Sequence, residues 1–158
     1  MITVTSRAGN NNRGFSLLEL ILVLMVLGLG SLIVLPSIDR GLRDQSVRRS
    51  ALALAAAARD LRSRAIYNGI PQQLLLNLAH NSYLIARDRE VRLPSDVKIS
   101  DVEGGETLNN DMRQFLFFPN GSTFGGLVTV AGADDSVSYS VRLHPLTGKI
   151  EVVRGDKT

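Results

Sequence analysis

The chain has 158 residues, with 18 Lys and Arg against 15 Asp and Glu and no cysteine. That length holds one long helix and one modest domain, and a domain without cysteine must hold itself together without disulfides. A net charge of +3 is a weak argument for a nucleic-acid partner, and none is expected.

Residues 3–12 are polar and carry Arg7 but no acid, and Arg13 abuts Gly14. From Phe15 to Leu35 the chain is apolar apart from small polar residues, and Glu19 is its only charge. As a helix these residues would span about 31 Å, close to the roughly 30 Å hydrocarbon core of a bilayer. A carboxylate in such a run is costly and is by default a functional residue with a partner. An ordinary secretory signal would use Arg7 and Arg13 as its basic end, Phe15–Leu27 as its apolar region and Gly28-Leu29-Gly30 as its cleavage site. Glu19 inside the apolar region, and the return of apolar residues after Gly30, favour a retained membrane helix.

Gly14-Phe15-Ser16-Leu17-Leu18-Glu19 resembles the cleavage and methylation motif of type IV pilins and type II secretion pseudopilins. That motif is a Gly, an aromatic residue, a Thr or Ser, two aliphatic residues and a Glu, followed by about twenty apolar residues. The resemblance implies a leader, residues 1–14, removed by a prepilin peptidase that cuts between Gly14 and Phe15 and methylates the new amino terminus. It also implies that Glu19 of one subunit pairs with the Phe15 ammonium of the next. Cutting at Gly14 would put that ammonium one helical turn from Glu19 on the same face. The leader takes two Arg with it, so the mature chain is near neutral. Arg40, Arg43, Arg48 and Arg49 follow the apolar run, so the positive-inside rule does not orient this helix. Orientation with the leader in the cytoplasm therefore rests on the resemblance.

Pro36 lacks an amide hydrogen and predicts a kink. Beyond it, Val47, Ala51, Leu54, Ala58, Leu61 and Ala65 recur at spacings of four and three, an apolar stripe for covering a sheet. Arg48, Arg49, Arg59, Asp60, Arg62 and Arg64 lie largely off the stripe and read as a solvated face. Asn68-Gly69 followed by Pro71 stops the helix. Residues 36–70 are thus the amphipathic continuation of residues 15–35.

From Gln72 onward the period is two. Eight strands are predicted, over 72–78, 82–86, 90–93, 97–100, 114–118, 127–131, 136–143 and 149–153, with turn chemistry between them. Residues 103–111 are polar and carry glycines, and read as a mobile loop. The expected fold class is α+β: a long N-terminal helix, its first half transmembrane, packed on an antiparallel β-sandwich of residues 71–158. Phe117 to Gly126, Leu146-Thr147-Gly148-Lys149-Ile150, and Leu61 to Ile66 with Gly69 are similar, in order and spacing, to segments of minor pseudopilin H and its minor-pilin relatives.

No enzyme is expected. His80 and His144 have no partner at metal-ligand spacing, and no Gly-rich phosphate loop with a Lys is present. Asp134-Asp135 falls short of a calcium site, which needs about six to eight oxygens, and reads as a solvated turn. No metal or cofactor is expected. The resemblance implies a minor subunit of a type II secretion pseudopilus, held in the inner membrane by a single pass with its C-terminal domain in the periplasm. Its partners would be the prepilin peptidase, other major and minor pseudopilins and the inner-membrane secretion platform. The alternatives are a minor pilin of a type IV pilus, with or without a role in DNA uptake, and a membrane-anchored β-sandwich binding module with no assembly partner.

Overall fold

The computed structural model describes residues 15–85 and 89–155, except for the side chains of 32–40. The chain divides into two units, Met1–Asp39 and Arg40–Thr158. One helix, α1 (Leu17–Asn68), contributes to both.

In the first unit the helical ladder starts where the Leu20 amide donates to the Ser16 carbonyl at 3.1 Å. Every described side chain from Phe15 to Ser31 is exposed. Among the described residues no helix is long and apolar enough to cross a membrane. The predicted leader lies outside the described residues. The predicted membrane helix has described side chains only as far as Ser31, and the helix assignment passes through Pro36, whose side chain is not among them.

In the second unit the six stripe residues Val47, Ala51, Leu54, Ala58, Leu61 and Ala65 are all at most 2% exposed. They share one cluster with the inward residues of two antiparallel sheets. The first sheet has the order β3-β2-β1-β6-β5 and the second β4-β7-β8-β9. Their strands are β1 (Gln72–Asn77), β2 (Ser82–Ile85), β3 (Arg89–Arg92), β4 (Val97–Gly104), β5 (Glu106–Asn109), β6 (Met112–Phe117), β7 (Gly126–Gly132), β8 (Ser138–Leu143) and β9 (Ile150–Arg154). The predicted alternation holds: Tyr139, Val141 and Leu143 of β8 point inward, as do Leu74 and Leu76 of β1 and Phe115 and Phe117 of β6. The fold is therefore the expected α+β arrangement, a helix packed on two antiparallel sheets, with nine strands in place of eight.

The ninth strand corrects the loop expected over residues 103–111. β4 runs on to Gly104, and β5 pairs with β6 across a tight turn in which the Asp111 amide donates to Asn109 Oδ1 at 3.0 Å. Between them the chain leaves one sheet and enters the other at Gly104 and Gly105, both at positive φ (75° and 69°). A β-carbon on Gly104 would fall 2.9 Å from the Gly125 carbonyl oxygen, and one on Gly105 would fall 2.9 Å from that of Gln114. The glycines mark a crossing between sheets. β5 is exposed throughout, so it carries no alternation by which the sequence could announce it.

Asn81 ties the sheets together. It sits at φ 51° in the β1–β2 turn. Its side-chain nitrogen donates to the Val97 carbonyl at 2.6 Å, and its Oδ1 accepts from the Ile99 amide at 2.9 Å. One turn residue of the first sheet thereby supplies partners to the edge of the second.

Candidate assembly site

Of the three residues singled out by the N-terminal motif, Gly14 lies outside the described residues. Phe15 is 80% exposed, just ahead of α1. Glu19 is exposed in the first turn of α1, where the unpaired amides of the helix start favour a negative charge. Ser16 stands at the N-cap and Glu19 three residues on, the spacing of a capping box.

Below Glu19 the helix is apolar on every side. Leu17, Leu18, Leu20, Ile21, Leu22, Leu24, Met25, Val26, Leu27 and Leu29 are all more than half exposed. The Ser31 hydroxyl donates to the Leu27 carbonyl at 2.8 Å, so this polar group is met within the helix. A helix hydrophobic all round belongs in lipid or among other helices, and nothing in its own chain covers it among the described residues.

The solvated face expected of the charged residues is largely present: Arg48, Arg49, Arg59, Asp60 and Arg64 are exposed, and only Arg62 is half-buried. Arg59 donates to the Ile150 carbonyl at 2.9 Å, and Arg43 pairs with Asp134 at 2.8 Å. Arg62 donates from Nε to the Gly121 carbonyl and from Nη2 to the Thr147 carbonyl, at 2.8 and 2.9 Å. Arg62 meets two carbonyls of turns, and Arg59 the first carbonyl of strand β9. Two of the segments similar to pseudopilin H are thus joined through the third. The turn after Phe118 and the β8–β9 hairpin are both held by Arg62, and Gly148 (φ 59°) packs so closely there that a β-carbon would meet the Arg62 side chain and the Gly121 carbonyl. The sequence marks these segments separately and carries no signal for the Arg that joins them.

Among the described residues no group of His, Cys, Asp and Glu is arranged to hold a metal. Asp134 Oδ1 accepts from the Ser136 hydroxyl and amide, and Oδ2 faces Arg43. Those contacts, the Ser136 hydroxyl first, hold its carboxyl at about 2. Asp135 pairs with Lys98 at 2.8 Å. Both carboxylates already serve the turn. His144 faces Glu151 at 2.9 Å, and Glu151, hydrogen-bonded first by Lys149 and then by His144, is likewise held at about 2.

Residues 9–35 match the prokaryotic N-terminal methylation motif. The chain is 24% identical over 139 residues to type II secretion system protein H of Xanthomonas campestris pv. campestris, covering 87% of this chain and 81% of that one. Its fold is similar to two structures of the minor pseudopilin EpsH from the type II secretion system of Vibrio cholerae. One has a TM-score of 0.53 and 13% identity, covering 69% of this chain and 97% of that one. The other has 0.55 and 12%, covering 73% and 99%. The chain thus carries a prepilin-type methylation motif and has a fold similar to that of the two minor pseudopilin structures. The relative and both structures are type II secretion proteins.

Proposed function

We propose that the chain is a minor pseudopilin subunit of a type II secretion pseudopilus, a structural part of the apparatus that exports folded proteins and not an enzyme. The observation that carries this is the junction of two features. A methylation motif with Glu19 in the first helical turn opens a helix that is apolar on all sides, and the same helix continues into a domain with the minor-pseudopilin fold. In this reading residues 1–14 are the leader, 15–35 the membrane and assembly helix, 36–70 its amphipathic continuation, and 71–158 the periplasmic β domain. A prepilin peptidase cuts between Gly14 and Phe15 and methylates the new terminus. Before assembly the helix anchors the subunit in the inner membrane by a single pass. On assembly Glu19 meets the Phe15 ammonium of a neighbouring pseudopilin, and the secretion platform is the site where this happens. A type IV minor pilin and a free-standing module are less well supported, because the relative and both structures are type II secretion proteins.

The test begins with the mature terminus, which should be N-methylated Phe15; a start at Ser31 would mark an ordinary signal peptide and end this reading. Glu19→Gln then isolates the charge, since Gln can also close a capping box. Cleavage should persist while co-purification with other pseudopilins falls, and Glu19→Lys should be worse. If both variants are incorporated like wild type, Glu19 has no assembly role.

A further inference from the structure

The second unit contains a cleft of about 240 Å³ between α1 and the β2–β3 hairpin, lined by Arg49, Ser50, Ala53, Tyr83, Val91 and the Leu93-Pro94 segment, with Arg92 at its border. It exists because α1 presents two small residues, Ser50 and Ala53, opposite Tyr83 and Val91, while Leu54 and Ala57 pack deeper into the core. The walls are apolar, so water inside finds few partners.

Tyr83 is the second observation. It is only 4% exposed and burial raises its pKa, but its hydroxyl is not an enclosed orphan: the one buried side-chain polar atom without a partner among the described residues is Thr123 Oγ1. By comparison, the other inward tyrosine, Tyr139, donates to Asp44 at 3.1 Å.

Among the described residues, the charged side chains that line the cleft, Arg49 and Arg92, are both cations. Arg49 lines it, and Arg48 is exposed beside Arg49 on the helix. The β2–β3 register puts Arg89 on the same face as Val91 and Tyr83, and its charge acts on the Tyr83 hydroxyl. Among the described residues no carboxylate lines the cleft. Glu90 belongs to the opposite face, where it accepts from the Ser82 hydroxyl at 2.7 Å and faces Arg92.

We propose that this cleft is a docking site for an acidic–apolar segment of a neighbouring subunit, with one apolar side chain entering between Ala53 and Val91 and an adjacent carboxylate placed beside Arg49 to accept from the Tyr83 hydroxyl. The proposal rests on the pseudopilus reading and adds to it the chemistry by which the globular domain recognises its partner.

The chain has no cysteine, so Ala53→Cys in the full-length protein offers a single thiol, at an exposed helical position, for a photoreactive label. The labelled protein is co-expressed with the other pseudopilins of its own system and irradiated, and the adduct is mapped by mass spectrometry. The adduct should fall on a pseudopilin segment that carries Asp or Glu beside an aliphatic or aromatic residue. Arg49→Glu should lower its yield about tenfold, the loss of a charge-assisted contact, and Tyr83→Phe, which keeps the ring and the core, about threefold. An adduct with a second copy of this chain, an adduct with a segment that has no carboxylate, or a yield indifferent to Arg49→Glu overturns the proposal. So does the absence of any adduct from a chain that is cut after Gly14 and co-purifies with its partners. A chain not cut there fails the pseudopilus reading itself, and the docking site falls with it.

Discussion

The same helix meets two opposite fates along its length. From Phe15 to Ser31 its apolar side chains point in every direction and stay exposed; from Val47 to Ala65 the six stripe residues are buried to within 2%. The two stretches do not differ in being helical. They differ in the period of their apolar residues. A stripe one face wide can be covered by sheets that the same chain provides, whereas an apolar cylinder needs lipid or other helices around it. The first region is therefore built for an environment outside the chain, and the second completes the chain's own core.

Arginine placed in each region tests this contrast most directly. Ala58 lies at 1% exposure between helix and sheets, so Ala58→Arg should overpack the core and bury an unpaired charge, at a cost on the order of 3–5 kcal/mol. Thermal melts should show the domain largely unfolded. If it kept its melting temperature, the helix would not be completing the core. Val26→Arg makes a similar change where the side chain is 61% exposed. It should leave the melting temperature of the domain unchanged and, on the proposed single-pass anchoring, weaken membrane insertion by about 2.5–3.5 kcal/mol, as far as a central charge does. Carbonate extraction of membranes reads this, and a loss of domain stability instead would erase the distinction between the regions.

Smaller effects sharpen the boundary. Arg62→Met keeps the stem of the side chain but releases the Gly121 and Thr147 carbonyls, with an expected loss of about 2 kcal/mol. Chemical denaturation measures it, and an unchanged midpoint would mean the two turns hold themselves. Acid should act on the second region through Asp134 and Glu151. Both carboxyls are held at about 2, against ordinary values of 3.8 and 4.5. A carboxyl lowered in the folded state stabilises it above the unfolded pKa, and the gain is lost as the pH falls toward 2. The melting temperature should therefore drop between about pH 4.5 and 2. Asp134→Asn should flatten that drop, and an equally steep profile in the variant would clear Asp134 of the role.

Where a residue's neighbours are near in sequence, its place is legible from the sequence. Ser16 to Glu19 lie within one turn, the stripe from Val47 to Ala65 follows the helical repeat, and the inward Tyr139, Val141 and Leu143 follow the strand repeat. Each signal is local and periodic. β5 escapes because none of its four residues is buried, and Gly104-Gly105 has the composition of a loop where it marks a change of sheet. Arg62, half-buried against two turns, looks solvated in the sequence because a long cation off the apolar stripe ordinarily is.

By itself the sequence determined the helix and eight of the nine strands, where the N-terminal motif lies, and that the first apolar region has no inward face. Those follow from backbone geometry and side-chain period, which act over a few residues. Only the tertiary structure decided which carbonyls Arg62 would find, that Asn81 would bind the edge of the other sheet, and that Tyr83 and Arg49 would line one cleft. The Asn81 and Arg62 contacts join residues 16 to 85 positions apart. They depend on how two sheets and a helix close around one core, and no local pattern in the chain encodes that closure.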